Sequence, residues 1–227
     1  MTFDELPGWT FEVEEIAANA YRVRGVDGAG RSVEASGVDP AGVLQDCKRW
    51  AAQYVVPGAS SALVDLIGRA CKEWAAPRPV EPKSPRVRCT MEPALAPAAI
   101  DALMPPDLIV LWRNFHAVRL FEDADYGQWG LELLSPHESA GETAAFRRAR
   151  PRDYLRNDIV VGRFLGDSDL LVVRADPGAA DFGHVVVALP LDRRADWDRP
   201  ATSLEQFVRS FIATNGAKFW VEPPKAP

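Results

Sequence analysis

One stretch of the chain has the residue types of a catalytic site. Gly166-Asp167-Ser168-Asp169 sets a serine inside a Gly-Asp-Ser block, and Asp181-Phe182-Gly183-His184 follows with the Asp-x-x-His that would orient and deprotonate it. A serine nucleophile needs its imidazole base within about 3 Å, with a carboxylate fixing the ring. The surrounding elements decide whether that geometry exists. Residues 169–174 and 184–189 are apolar runs joined by DPGAADFG, a connection too short for a crossover helix, so the two pair as an antiparallel hairpin. Arg174 then lies beside His184 and Ser168 beside Pro190. At about 3.3 Å per residue, serine and histidine are about 20 Å apart. Gly-Asp-Ser-Asp reads as a turn, in which Gly166 permits a positive φ and the short polar side chains bond their own backbone.

Other chemistry has less support. His116, His137 and His184 are scattered, without the i,i+4 or His-x-His spacing of metal ligands. Cys47, Cys71 and Cys89 are odd in number and form no Cys-x-x-Cys, which argues against a disulfide framework or zinc knuckle and suits a reducing cytoplasm. Val26-Asp27-Gly28-Ala29-Gly30-Arg31-Ser32 lacks the Lys-Ser/Thr of a phosphate loop and falls in a hairpin turn. Asp196-Trp197-Asp198 offers two carboxylates but no defined acid–base geometry, and reads as loop. The expectation is a protein that is not an enzyme and uses no cofactor and no metal.

The 227 residues are 47% hydrophobic, enough for a sizeable core, and no apolar run approaches the ~18 residues needed to cross a bilayer. The opening MTFDELPGW has neither the basic nor the apolar region of a secretory signal, so a cytoplasmic location is expected. Net charge is −6, and segments 1–76, 77–93 and 94–227 carry −4, +2 and −4. A body of that sign repels phosphate backbones and suits a basic protein partner.

Periodicity predicts an α+β chain in two parts. WTFEVEE alternates with Trp9, Phe11 and Val13 on one face, and AYRVRGV and RSVEAS continue as strands. Asp39-Pro40 caps a helix running to about Tyr54, with Leu44, Cys47 and Ala51 inward. A second helix from about Ser61 carries the stripe Leu63, Leu66, Ile67, Ala70 and Trp74. Residues 1–76 read as a small α+β module, with Trp50 and Trp74 as packing residues. Residues 77–93, rich in proline and basic, read as an extended linker. In 94–227, two short helices around Ala98–Leu103 and Leu108–Trp112 precede strands at AVRLF and WGLELLS. PHESAGETAAFRRAR reads as a helix or ordered loop. NDIVVGRFL, DLLVVRA and HVVVALP form an antiparallel meander, and Ser203 caps a closing helix that Asn215-Gly216 stops.

This ordered series resembles the SUKH superfamily of Smi/Knr-type cell-wall regulators over about 95–220. The matching residues are Ile159 to Phe164, Gly166 to Val173, His184 to Val187, Asp196-Trp197, and Ala201-Thr202-Ser203-Leu204-Glu205-Gln206-Phe207-Val208. Asn114 precedes Phe115 where the family commonly has glycine. The resemblance implies a twisted antiparallel sheet packed with helices, acting by protein binding. It implies a bacterial immunity protein occluding the active site of a polymorphic toxin, a basic domain such as a nuclease; the alternative is a scaffold or regulatory adaptor of the same fold. The expected contact is the acidic, aromatic stretch holding Glu122, Asp123, Asp125, Tyr126 and Trp129, with Asp167 and Asp169 of the later turn. Tyrosine and tryptophan supply anchors there, and carboxylates pair with lysine or arginine of the partner.

Overall fold

A computed structural model describes residues 1–3, 6, 8–28, 32–52, 62–94, 100 and 103–221. The fold is α+β, as expected. Strands β1 (Trp9–Ala17), β2 (Ala20–Asp27) and β3 (Ser32–Gly37) form a three-stranded antiparallel sheet. Helix α1 (Pro40–Ala52) covers it, begun by Asp39, whose carboxylate accepts from the N–H groups of Ala41 and Gly42. Trp9, Phe11, Val23, Val33, Val43, Cys47 and Ala51 make this small core. The inward alternation stops early in β1: Val13 and Ile16 are exposed because α1 lies over β2 and β3 and only grazes the β1 edge. Trp50, expected in the packing, is exposed on α1.

Helix α2 (Ala62–Glu73) departs from the expected grouping. It packs on the larger core, against β5, α3 and α5. Its apolar face explains this: Leu63, Val64, Leu66, Ile67, Ala70 and Cys71 are all buried, a stripe too wide for the small sheet to cover. It also touches the end of β2, where a Cβ on Gly68 would come within 3.0 Å of the Gly28 carbonyl oxygen.

The proline-rich stretch 77–93 is not a free spacer. It supplies β4 (Arg78–Pro79) and β5 (Arg86–Pro93), with Val87 and Cys89 buried between outward-facing arginines. Beyond it lie α3 (Pro106–Asn114), β6 (Phe115–Asp123), β7 (Leu131–Leu133), α4 (Pro136–Ala149), β8 (Asp158–Phe164), β9 (Leu170–Arg174), β10 (Val185–Ala188), β11 (Asp198–Ala201) and α5 (Leu204–Ala213). The helix expected around Ala98–Leu103 falls largely outside the described residues, as do the turn at 29–31 and the end at 222–227. Asp198, read as loop, begins β11 and pairs with Val187.

The eight strands β4 to β11 lie side by side in chain order, every pair antiparallel. Short connections and alternating strands leave few other solutions. Helices α2, α3 and α5 cover one face around Leu108, Leu120, Phe121, Phe207 and Phe211. Among the described residues, the opposite face is covered at its β8–β10 end, where Phe146 of α4 and Trp197 pack on Val160, Val172 and Val186. Ser135 starts α4 through a reciprocal capping box with Glu138.

Candidate protein-binding surface

A bulge in β6 determines which side chains face outward. Leu120 and Phe121 both oppose Cys89, Phe121 has φ +54°, and its N–H meets the Cys89 Sγ at 3.2 Å. A left-handed backbone is costly for a bulky residue. Two glycines make room for this one: a Cβ on Gly130 would lie 2.6 Å from the Phe121 carbonyl oxygen, and one on Gly216 would lie 2.7 Å from the Phe121 Cβ. Because the bulge adds one residue to the core side, Arg119 and Glu122 emerge on the same outer face.

That face carries charges of alternating sign across four strands. Glu122 pairs with Arg88 of β5 at 3.2 Å and with Arg119 at 2.9 Å. Arg119 pairs with Glu132 of β7 at 3.0 Å, Glu132 with Arg163 of β8 at 2.5 Å, and Arg163 with Glu142 of α4 at 3.5 Å. The carboxylates of Glu122 and Glu132 are the buried partners, and the arginine side chains are the more exposed ones. Cross-strand pairs of this kind fix register more than they add stability.

The residues expected to touch a partner fall into three roles. Glu122 belongs to the ionic row just described. Asp123 is buried and turns the chain, its Oδ1 accepting from the N–H groups of Asp125 and Tyr126. Asp125 pairs with Arg86, and that guanidinium holds its carboxyl below the ordinary carboxylate range. Tyr126 projects from the loop with 82% of its surface exposed, and Trp129 is 43% exposed. Asp167 and Asp169 share the ammonium of Lys218, at 2.8 and 2.6 Å. Burial works against the charge of Lys218, but the two carboxylates outweigh it and raise its pKa. Asp198, nearby, is pushed up by burial and then by the Asp169 charge.

The β6–β7 loop and the β8–β9 turn are brought together. Gly166 has φ +86°, and a Cβ there would lie 2.0 Å from the Gln128 carbonyl oxygen. The Leu165 N–H donates to Gly130 O at 2.9 Å. Trp129, Phe164, Asp167 and Lys218 line a shallow dimple between them. Sequence reasoning missed Arg86, Arg88 and Lys218, which neutralise the carboxylates. Two of these sit in the supposed linker, whose local positive charge was the one visible signal.

Ser168 and His184 stand at opposite ends of the β9–β10 pair. Leu170 is opposite Ala188, while the Arg174 N–H donates to His184 O at 3.0 Å. Among the described residues no group of three or more histidine, cysteine, aspartate or glutamate side chains is arranged to hold a metal ion. No described helix is long and apolar enough to cross a membrane.

At the other end of β8 a second polar cluster appears. Asp158 is fully buried and binds Arg174 at 2.8 Å and Arg194 at 2.6 Å, and it accepts from the Leu155 N–H at 2.9 Å. Arg150 pairs with Asp153 and donates to the carbonyls of Leu189, Pro190 and Asp192. Asp153 is lowered in pKa by the Arg194 N–H and then by Arg150. These contacts tie the segment after α4 to the β10–β11 connection.

No family model matches this chain, and no curated protein or solved structure matches it.

Proposed function

We propose that the chain is a non-catalytic protein-binding domain whose contact surface is the β6–β7 loop with the adjoining β8–β9 turn. The observation that carries this reading is the presentation of Tyr126 and Trp129 in solvent on a loop with a fixed backbone. Asp123 ties down the loop's start, Gly130 its end, and Gly166 its flank. Aromatic side chains held in this way lose little conformational entropy on binding, which makes them efficient anchors.

The resemblance of residues 159–208 to the SUKH superfamily supports the biological side of the proposal: a bacterial immunity protein that covers the active site of a cognate toxin. One observation favours the second reading, a regulatory adaptor. The carboxylates that would attract a basic toxin are mostly paired already, so the surface is electrically balanced around its aromatics.

The test is co-expression with the product of the adjacent open reading frame, with complex formation measured by co-purification. The immunity reading expects a stable complex, relief of that neighbour's toxicity, and loss of both in Tyr126→Ala/Trp129→Ala. A complex with a non-toxic neighbour, still dependent on the two aromatics, identifies the adaptor. A complex indifferent to both substitutions rejects this surface.

A further inference from the structure

The protein has a second surface of opposite character. Arg147 and Arg148 close α4, and Arg152 and Arg156 lie in the segment that follows. All four are exposed, and none has a carboxylate partner among the described residues. The α4 dipole accounts for the first two, since cations are favoured at a helix C-terminus. It does not account for Arg152 and Arg156, which lie beyond the helix. In a chain of net charge −6 this is a concentration of unpaired positive charge.

Two of the four, Arg147 and Arg156, border a groove. One arm, an open cleft of about 640 Å³, is lined by Arg147, Pro151, Tyr154, Arg156 and Asn157. A second arm of about 310 Å³ shares Tyr154 and Asn157 and continues between Leu103, Met104, Ile159 and Pro177. The first arm is basic and the second mainly apolar. Tyr154 forms the wall between them, its ring edge-on to Phe146 and under the Arg147 guanidinium at 5.5 Å. The groove is firmly built. The Arg156 carbonyl accepts from Arg174 at 2.9 Å, the Asn157 carbonyl accepts from the Ala175 N–H at 3.0 Å, and Asn157 is held at φ +62°. Asp158 also lines the second arm, and its charge is balanced there by Arg174 and Arg194.

We infer that this groove binds an acidic segment of a protein, with carboxylates on Arg147 and Arg156 and an apolar side chain in the arm beside Met104 and Ile159. Charge complementarity selects the anionic occupant, and the apolar arm selects a peptide over a bare anion. A nucleic acid strand fits less well, because the rest of the molecule repels phosphate. The groove is at the start of β8 and the Trp129 dimple at its end, about 20 Å apart by strand length. The two surfaces therefore act independently, and this inference does not rest on the reading above.

The test uses the full chain and a fluorescein-labelled peptide of acidic pairs alternating with leucine, followed by fluorescence anisotropy. Two matched peptides carry serine for leucine or lysine for the acidic residues, and a labelled oligothymidylate is the nucleic-acid arm. The acid–leucine peptide is expected to bind at least about tenfold more tightly than either twin, and to weaken as salt is raised. Arg147→Glu/Arg156→Glu is expected to cost about tenfold or more, and Leu103→Ser a smaller factor. Both changes are at exposed positions, so unchanged thermal unfolding shows that the loss is local. Tyr126→Ala leaves this binding intact, which keeps the two surfaces distinguishable. Absence of acid–leucine binding, equal binding of the serine twin, indifference to the arginine reversals, or tighter binding of oligothymidylate would each overturn the inference.

Discussion

Gly166 lies so close to Gln128 that a Cβ on the glycine would fall 2.0 Å from the Gln128 carbonyl oxygen. The contact joins two loops that are distant in sequence and makes one surface of them. Gly166→Ala must push the loops apart, and it also places a side chain at φ +86°. The expected loss of stability in urea unfolding is about 1–3 kcal/mol. Partner affinity should fall further than in an equally destabilised core variant, because Trp129 moves with Gln128. Wild-type stability in Gly166→Ala would contradict the close packing described.

Asp158 bridges Arg174 and Arg194 at the centre of the second cluster, while Asp181 reaches Arg174 from the rim at 3.3 Å. Removing its charge leaves two guanidinium groups without that counter-ion, one of them buried. Asp158→Asn is expected to cost about 3–5 kcal/mol, the usual scale for breaking a buried pair from one side. Chemical denaturation gives the number. A loss below about 1 kcal/mol, the range of surface pairs, would mean that solvent reaches the cluster.

Burial pushes the Cys71 thiol up to about 12 and the Cys89 thiol up to about 11, and it raises Cys47 as well. The thiolate is the reactive form, so none of the three should react with iodoacetamide in the native protein at mildly alkaline pH. All three should react once the chain is unfolded. Mass spectrometry after timed alkylation reads both states. Fast native modification of Cys89 would be incompatible with its place beneath the β6 bulge.

The carboxyl of Glu138 is held below its ordinary 4.5 by hydrogen bonds from the Ser135 hydroxyl and then the Ser135 N–H. Folding therefore favours the ionised form. The stability from this link is complete above the unfolded pKa and is lost as pH falls through the lowered folded value. Ser135→Ala should cost about 1 kcal/mol near pH 7. The gap between wild type and variant should narrow in acid as the carboxyl protonates. Unfolding free energies from pH 7 to pH 3 measure it, and a constant gap would show that the charge plays no part.

The elements read most directly from the sequence are those whose stabilising contacts are local. The alternation of 159–164 and 170–174, the Asp39 and Ser203 caps, and the Asn215-Gly216 stop all require only near neighbours. Strand β5 was hidden because its two buried residues, Val87 and Cys89, lie among prolines and arginines that resemble a spacer. Helix α2 was legible as a helix but not in its allegiance, since its partner α5 lies far along the chain. The candidate surface shows the same division. Tyr126 and Trp129 were visible by type. The pairing of Asp125 with Arg86 and of Asp169 with Lys218 spans 39 and 49 residues, and no local pattern signals it. The basic groove emerged only when β8 and the segment after α4 were in place.

The contact between α2 and α5 has a consequence for how the molecule is made. The β4–β11 meander pairs each strand with the one just synthesised, so the sheet can assemble progressively from its β4 edge. Helix α2 precedes all of it, yet its apolar face is completed by Phe207, Phe211 and their neighbours in the last helix. During translation that early face, covered in part by β5 and α3, must wait for the rest of its cover until α5 has left the ribosome. A nascent chain stalled before residue 204 would be greasy at one flank and a natural client for a chaperone.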